Sequence, residues 1–179
     1  MKVYICSMNS VFTYQERHRA IYKSLLREIK KEYGYDCGLS NIDYQNGKPV
    51  LKGVPIYFSI SHAENISVFA ISNSKIGIDA EKIKKPDEDI LNKVYTESER
   101  QYVYSSIDPS ISFYRVWTYK EAFVKYLGCG IDRRFFYMNT IINGSFVDPG
   151  RSSFLLYNGC IITTYGDSKL EDIHLISTI

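Results

Sequence analysis

The sequence lacks most of the marks that would assign it quickly. It has four cysteines, Cys6, Cys37, Cys129 and Cys160, and no two stand in C-x-x-C spacing. That excludes the common zinc and thioredoxin-like arrangements and fits reduced thiols. No apolar run reaches the length of a spanning helix, and the N-terminus has no long apolar core before a small-residue cleavage site. A soluble cytoplasmic protein is expected. There is no excess of one charge: 22 basic against 20 acidic residues leave +2. A dedicated duplex-DNA binder would carry a strong basic excess, so no nucleic-acid partner is expected, although a local phosphate pocket remains open. Low-complexity segments and repeats are absent. So are the Gly-rich nucleotide cradles G-x-x-x-x-G-K-[ST] and G-x-G-x-x-G, and the nucleophile elbow G-x-S-x-G.

What is present is an ordinary globular composition, 45% hydrophobic and 23% charged over 179 residues. That suits one domain, or two small ones sharing a core. Sixteen tyrosines are the unusual count, and they supply amphipathic bodies for strands and interfaces.

Residues 2–6 read as a strand. Residues 14–33 read as a helix, from Ala20, Ile21, Leu25 and Ile29 at helical spacing, and Gly34 ends it. Its basic residues form a solvated face or meet an anion. Asn46–Pro49 is a turn. Three strands, 56–61, 66–72 and 76–83, lie close enough for an antiparallel meander. The break at Lys84–Asp87 is a boundary candidate. Thr96 and Glu99 form a capping-box signature for a helix over 97–106. A long helix follows over 111–127, with Pro109 suited to a first turn and Gly128–Gly130 ending it. FFYMNTII, SSFLLY, CIITTY and DIHLISTI read as strand-like runs.

Three constellations could carry chemistry. In Gly77-Ile78-Asp79-Ala80-Glu81, strand alternation puts Asp79 and Glu81 on one face and Ile78 on the other. Two like charges side by side repel unless a cation lies between them, and hard carboxylate oxygens suit Mg²⁺. An exposed acidic face balanced by Lys82, Lys84 and Lys85 would read the same. In Trp117-Thr118-Tyr119-Lys120-Glu121-Ala122-Phe123-Val124-Lys125, Glu121 and Lys125 are one turn apart and can meet. Lys120 lies beside the apolar stripe, where a lysine stem is often only snorkelling. Ser59-Ile60-Ser61-His62 places two hydroxyls on one strand face. Ser61 and His62 point opposite ways, which argues against a Ser–His nucleophile pair, but they could donate to phosphate oxygens.

In order along residues 18–131, these segments resemble the 4′-phosphopantetheinyl transferase superfamily, in its Sfp-type (surfactin-synthetase-activating) branch. The carrying residues are His18-Arg19, Gly47-Lys48-Pro49, Phe58–His62, Ile76–Glu81 and Trp117–Lys125. The last two look like the family's G-I/V-D-x-E and W-x-x-K-E-A/S-x-x-K motifs. The resemblance implies an α+β fold of two pseudo-symmetric halves, 1–85 and 86–179. Each half would be a small antiparallel sheet packed with a long helix, with the active site between them. It implies an enzyme that moves 4′-phosphopantetheine from coenzyme A to a serine of an apo acyl or peptidyl carrier protein and releases 3′,5′-ADP. Asp79, Glu81 and Glu121 would hold Mg²⁺. Glu121 or a metal-held water would take the serine proton, and Lys125 would stabilise or protonate the leaving 3′,5′-ADP. Arg19, Lys48, Ser61, His62, Asp79, Lys120 and Lys125 would contact coenzyme A, with Lys120 in either structural support or a phosphate contact. A monomer is expected, and the resemblance implies secondary metabolism or a broad carrier specificity. The stretch between Cys6 and His18 is short for the branch, which leaves the 3′-phosphate to Lys23 or another basic residue. Cys129 stands between two glycines where a basic residue is frequent. A non-catalytic binder of coenzyme A or carrier protein, and another metal-dependent phosphotransferase, are the competing readings.

Overall fold

A computed structural model describes residues 1–7, 13–130 and 133–176, without the side chains of residues 133 and 134. The segment between the first strand and the first helix is therefore partly outside the described residues, and so is any 3′-phosphate contact made from it.

The first sheet has the order β11–β1–β5–β4, from β1 (Lys2–Ser7), β4 (Tyr57–Ala63), β5 (Ile66–Ser72) and β11 (Asp172–Ile176). The second has the order β6–β10–β9, from β6 (Ile76–Lys82), β9 (Ser152–Tyr157) and β10 (Cys160–Gly166). Two short hairpins complete the strands: β2 (Ile42–Gln45) with β3 (Lys48–Leu51), and β7 (Ile141–Ile142) with β8 (Ser145–Phe146). The helices are α1 (Tyr14–Tyr33), α2 (Glu88–Val94), α3 (Glu97–Tyr104), α4 (Pro109–Leu127) and α5 (Arg133–Tyr137). The expected α+β class holds.

Side-chain alternation builds the layers. On the first sheet, Tyr4, Cys6, Phe58, Phe69 and Ile71 face Ile21, Leu25 and Ile29 of α1. Val3, Ile5, Val68 and Ala70 face the other way, onto Ile76, Ile78, Ala80 and Ile162 of the second sheet. Helix α4 covers the far side of the second sheet. Buried Thr118 of α4 and Thr163 of β10 share a hydroxyl hydrogen bond of 2.6 Å. The order is thus α1, sheet, sheet, α4.

The helix ends follow local chemistry. Thr13 caps α1 in a capping box with Glu16, and Gly34 closes it at φ 77°. Asp108 caps α4 with Pro109 in the first turn, so the helix starts two residues before the expected Ile111.

Three expectations need correction. The strand 76–83 does not complete a meander with its two predecessors. It pairs antiparallel with β10, Asp79 opposite Thr163, and so belongs to the second sheet. The first sheet is not purely antiparallel, because β11 runs parallel to β1. FFYMNTII is not a strand: its aromatic start lies in α5, with Phe135 buried edge-on against Trp117 at 5.4 Å, and only Ile141–Ile142 is extended. The last strand is present at Asp172–Ile176, and residues 177–179 lie outside the described residues.

Candidate active site at the contact of β6 and α4

Gly77 decides how close β6 comes to α4. A Cβ built there would lie 1.9 Å from the Ala122 carbonyl oxygen and 2.6 Å from the Tyr126 nitrogen. Only hydrogen fits, so the two backbones touch. This contact brings Asp79 and Glu81 on β6 beside Glu121 and Lys125 on α4.

Asp79 is the centre of the cluster. Its Oδ1 accepts from Ser61 Oγ at 2.8 Å and from Lys125 Nζ at 2.6 Å, and Lys125 also donates to Ser61 Oγ at 3.0 Å. Alternation on β4 explains the serine: Phe58 turns toward α1, while Ser59 and Ser61 turn toward β6. Lys125 thus meets Asp79, not the Glu121 one turn behind it that helical spacing favours. Burial, then Asp79, pushes the Glu81 carboxyl up, opposed by Trp117, Lys125 and Lys84. Burial, then Asp79, with a smaller push from Glu81, raises Glu121 to about 7 against the pull of Lys125. The three acids therefore crowd one another electrostatically.

Whether these residues suit Mg²⁺ turns on one atom. Asp79 Oδ2 is buried and has no hydrogen-bond partner among the described residues. A carboxylate oxygen in that position calls for a cation or a donor. With Glu81 and Glu121 beside it, the donor set is hard oxygen and fits Mg²⁺. Among the described residues, no three ligating groups are already closed around one point, and Lys125 supplies the neighbouring positive charge.

The cluster opens on a cavity of about 320 Å³ lined by Gly47, Lys48, Phe58, Ser59, Glu121 and Lys125. A second cavity of about 470 Å³ adjoins it through Lys48, Pro49, Phe58 and Gly128.

Other predicted residues fall in different places. His62 Nδ1 pairs with Ser67 Oγ at 2.6 Å, and its ring lies 5.2 Å from that of His18. Burial, aided by the charges of His18, Lys125 and Arg17, lowers His62 to about 4. It is a neutral imidazole near pH 7, not a ready cation. Arg19 is exposed on α1. Lys48 does not turn its ammonium into the cavities. It donates to the Ile76 carbonyl at 3.1 Å and to the Lys125 carbonyl.

Of the two roles expected for Lys120, the structure shows the structural one. It is fully buried and bonded to Glu99 Oε2 at 2.8 Å and the Val94 carbonyl at 3.0 Å, which occupies its ammonium in the core. Its partner Glu99 also accepts from Thr96 N, Thr140 N and Thr140 Oγ1. The capping-box signal finds Glu99, but nothing in spacing shows the lysine. Ser59 is a further residue whose role the sequence does not show, although its shared face with Ser61 follows from alternation. Its hydroxyl accepts from the Ile78 N–H at 3.1 Å.

Comparison with known proteins points to one family. The model of the 4′-phosphopantetheinyl transferase superfamily matches residues 75–160. Curated relatives include "4′-phosphopantetheinyl transferase gsp" of Aneurinibacillus migulanus, 33% identical over 76% of this chain and 58% of that protein. The "4′-phosphopantetheinyl transferase" of Bacillus subtilis is 29% identical over 84% of this chain and 70% of its own length. "4′-phosphopantetheinyl transferase HetI" of Nostoc sp. is 31% identical over 61% of this chain and 51% of that protein. The chain thus spans between 51% and 70% of the length of these relatives. The matched stretch contains both acid-bearing elements, β6 and α4, and the chain belongs to the 4′-phosphopantetheinyl transferase superfamily.

Proposed function

We propose that the protein transfers 4′-phosphopantetheine from coenzyme A to a serine of an apo acyl or peptidyl carrier protein, releasing 3′,5′-ADP. The carrying observation is the electrostatic crowding of Asp79, Glu81 and Glu121, with the buried Asp79 Oδ2 left without a partner among the described residues and Glu121 lining the neighbouring cavity. Family membership and the names of the relatives support the same reading.

Asp79, Glu81 and Glu121 would hold Mg²⁺. When bound, the ion neutralises charge on the diphosphate and on the departing phosphate. The carrier serine Oγ attacks the phosphorus that bears the pantetheine, and the P–O bond to 3′,5′-ADP breaks. Glu121, on α4 beside Lys125 and lining the cavity, or a water held by the metal, would accept the serine proton. Lys125 offers its ammonium to the leaving phosphate from α4. Ser61 sits between Asp79 and Lys125, and can hold either group while the other engages substrate. His62 and Arg19 complete the phosphate side, where the charges of Lys125 and Arg17 near His62 would attract an anion.

The active site lies where the 1–85 half meets the 86–179 half. The protein acts as a cytoplasmic monomer, and a broad or secondary-metabolic carrier range follows from the Sfp-type resemblance. In the described residues no helix is long and apolar enough to cross a membrane.

The test is mass spectrometry of a panel of apo carriers incubated with the protein, coenzyme A and Mg²⁺. At least one carrier gains the mass of phosphopantetheine on its serine. The reading fails if all carriers remain apo while a known transferase modifies them.

A further inference from the structure

The acid-bearing strand β6 is paired on one side only. Its ladder runs to β10, and its other edge faces β4, which belongs to the other sheet. Buried backbone groups on such an edge need partners. Two side chains supply them. Ser59 of β4, 4% exposed, accepts from the N–H of fully buried Ile78 at 3.1 Å. Lys48 of β3 donates to the carbonyl of Ile76 at 3.1 Å.

The same ammonium also donates to the carbonyl of Lys125. That carbonyl lies in the last turn of α4, where acceptors are left over and a cation is favoured by the helix dipole. The stem of Lys48 lies across the helix cap: a Cβ on Gly128 would meet its Cδ at 3.5 Å. One side chain therefore ties β6 to α4 one residue away from the Gly77 contact and three residues before Asp79.

We infer that Lys48 and Ser59 are positioning residues, which clamp the free edge of β6 to β4 and to the end of α4 and so set the spacing of Asp79 against Glu121 and Lys125. Lys48 is then not a ligand of the nucleotide, although it lines both cavities. Turning its ammonium to a phosphate would take this donor away from the partly buried carbonyls of Ile76 and Lys125. Burial, with Lys75 and Lys125 nearby, lowers its pKa to about 8, so it still carries its charge at pH 7.

The inference rests on the proposed transfer for its kinetic part only. Lys48→Met keeps the stem and removes the donors, Lys48→Arg keeps donors, and Ser59→Ala removes the acceptor without touching any charge. In transfer assays with Mg²⁺ titrated, Lys48→Met and Ser59→Ala lower kcat and raise the Mg²⁺ needed for half-maximal rate by about 10–100-fold, the range for groups that orient metal ligands. The KM for coenzyme A stays within about twofold, and Lys48→Arg recovers most of the loss. Amide exchange on the unliganded proteins accelerates at 76–82 and 124–128 in both damaging variants. A raised KM for coenzyme A with unchanged kcat and Mg²⁺ requirement in Lys48→Met would make Lys48 a nucleotide ligand and overturn the inference. So would unchanged exchange in both variants. If the wild-type protein transfers nothing, the proposed activity fails, and the exchange measurement still decides the clamp. Should Lys48→Met fail to fold, Ser59→Ala carries the same comparison.

Discussion

Gly77 is the residue on which the site's geometry depends most directly. Its missing Cβ lets the Ala122 carbonyl approach to where a methyl group would stand. Gly77→Ala must push β6 and α4 apart, and should destabilise the fold by about 1–3 kcal/mol or more, the usual cost of overpacking a tight contact. Urea unfolding measures this, and an unchanged midpoint would mean that the contact yields freely. Lys120 shows a different dependence. It and Glu99 are both fully buried, and each is the other's counter-charge. Lys120→Met strands the Glu99 carboxylate, and an expected loss of about 3–5 kcal/mol follows. Adding Glu99→Gln should recover part of it, which a double-mutant cycle reads. His62 gives a pH signature. Its folded pKa of about 4 lies below the 6.5 of the free side chain, because burial and nearby positive groups disfavour the charged form. The unfolded chain therefore binds the proton first. The stability linked to His62 is complete above pH 6.5 and is lost as pH falls from there toward 4. His62→Phe should flatten that part of the stability curve, and an unchanged slope would place the imidazole in solvent.

Elements are legible in the sequence where local chemistry decides them. Helix α1 is readable to the residue, because Thr13, Glu16 and Gly34 mark its ends. Thr13→Ala should cost about 1 kcal/mol in thermal or urea unfolding. Alternation alone places Asp79 and Glu81 of β6 opposite Ile78. The partner of β6 is not readable, since hydrogen bonding to β10 links residues some eighty positions apart. Helix α5 looks like a strand in sequence because Phe135, Phe136 and Tyr137 have strand-like composition, and five residues are too few to show a helical period. Packing of Phe135 on Trp117 prevails over that local preference. The Lys125–Asp79 pair is hidden for the same reason as the sheet order. Helical spacing offers Glu121 as the partner, whereas the crossing of α4 over β6 brings Asp79 closer.

At the scale of the molecule, four layers meet so that no single element makes the site. Both sheets draw strands from either side of the Lys84–Asp87 break: β11 joins β1, and β6 joins β10. Five of the sixteen tyrosines, Tyr4, Tyr22, Tyr95, Tyr119 and Tyr165, are buried in this core. Tyr95, Tyr119 and Tyr165 are buried, with hydroxyls bonded to the Phe113 carbonyl, the Val147 carbonyl and Asp148. The near-neutral charge is compatible with the proposed function, in which a few cations would meet phosphates and three acids would hold a metal. The central claim is that these acids perform the transfer. The most direct test incubates an apo carrier, coenzyme A and Mg²⁺ with the wild-type protein, Asp79→Ala and Glu121→Ala. Carrier mass and 3′,5′-ADP are read together, and circular dichroism confirms that each protein is folded. The account predicts full modification by the wild type with matching 3′,5′-ADP, and none by either folded variant. A folded variant as active as the wild type, or a wild type that leaves the carrier apo where a known transferase modifies it, would contradict it.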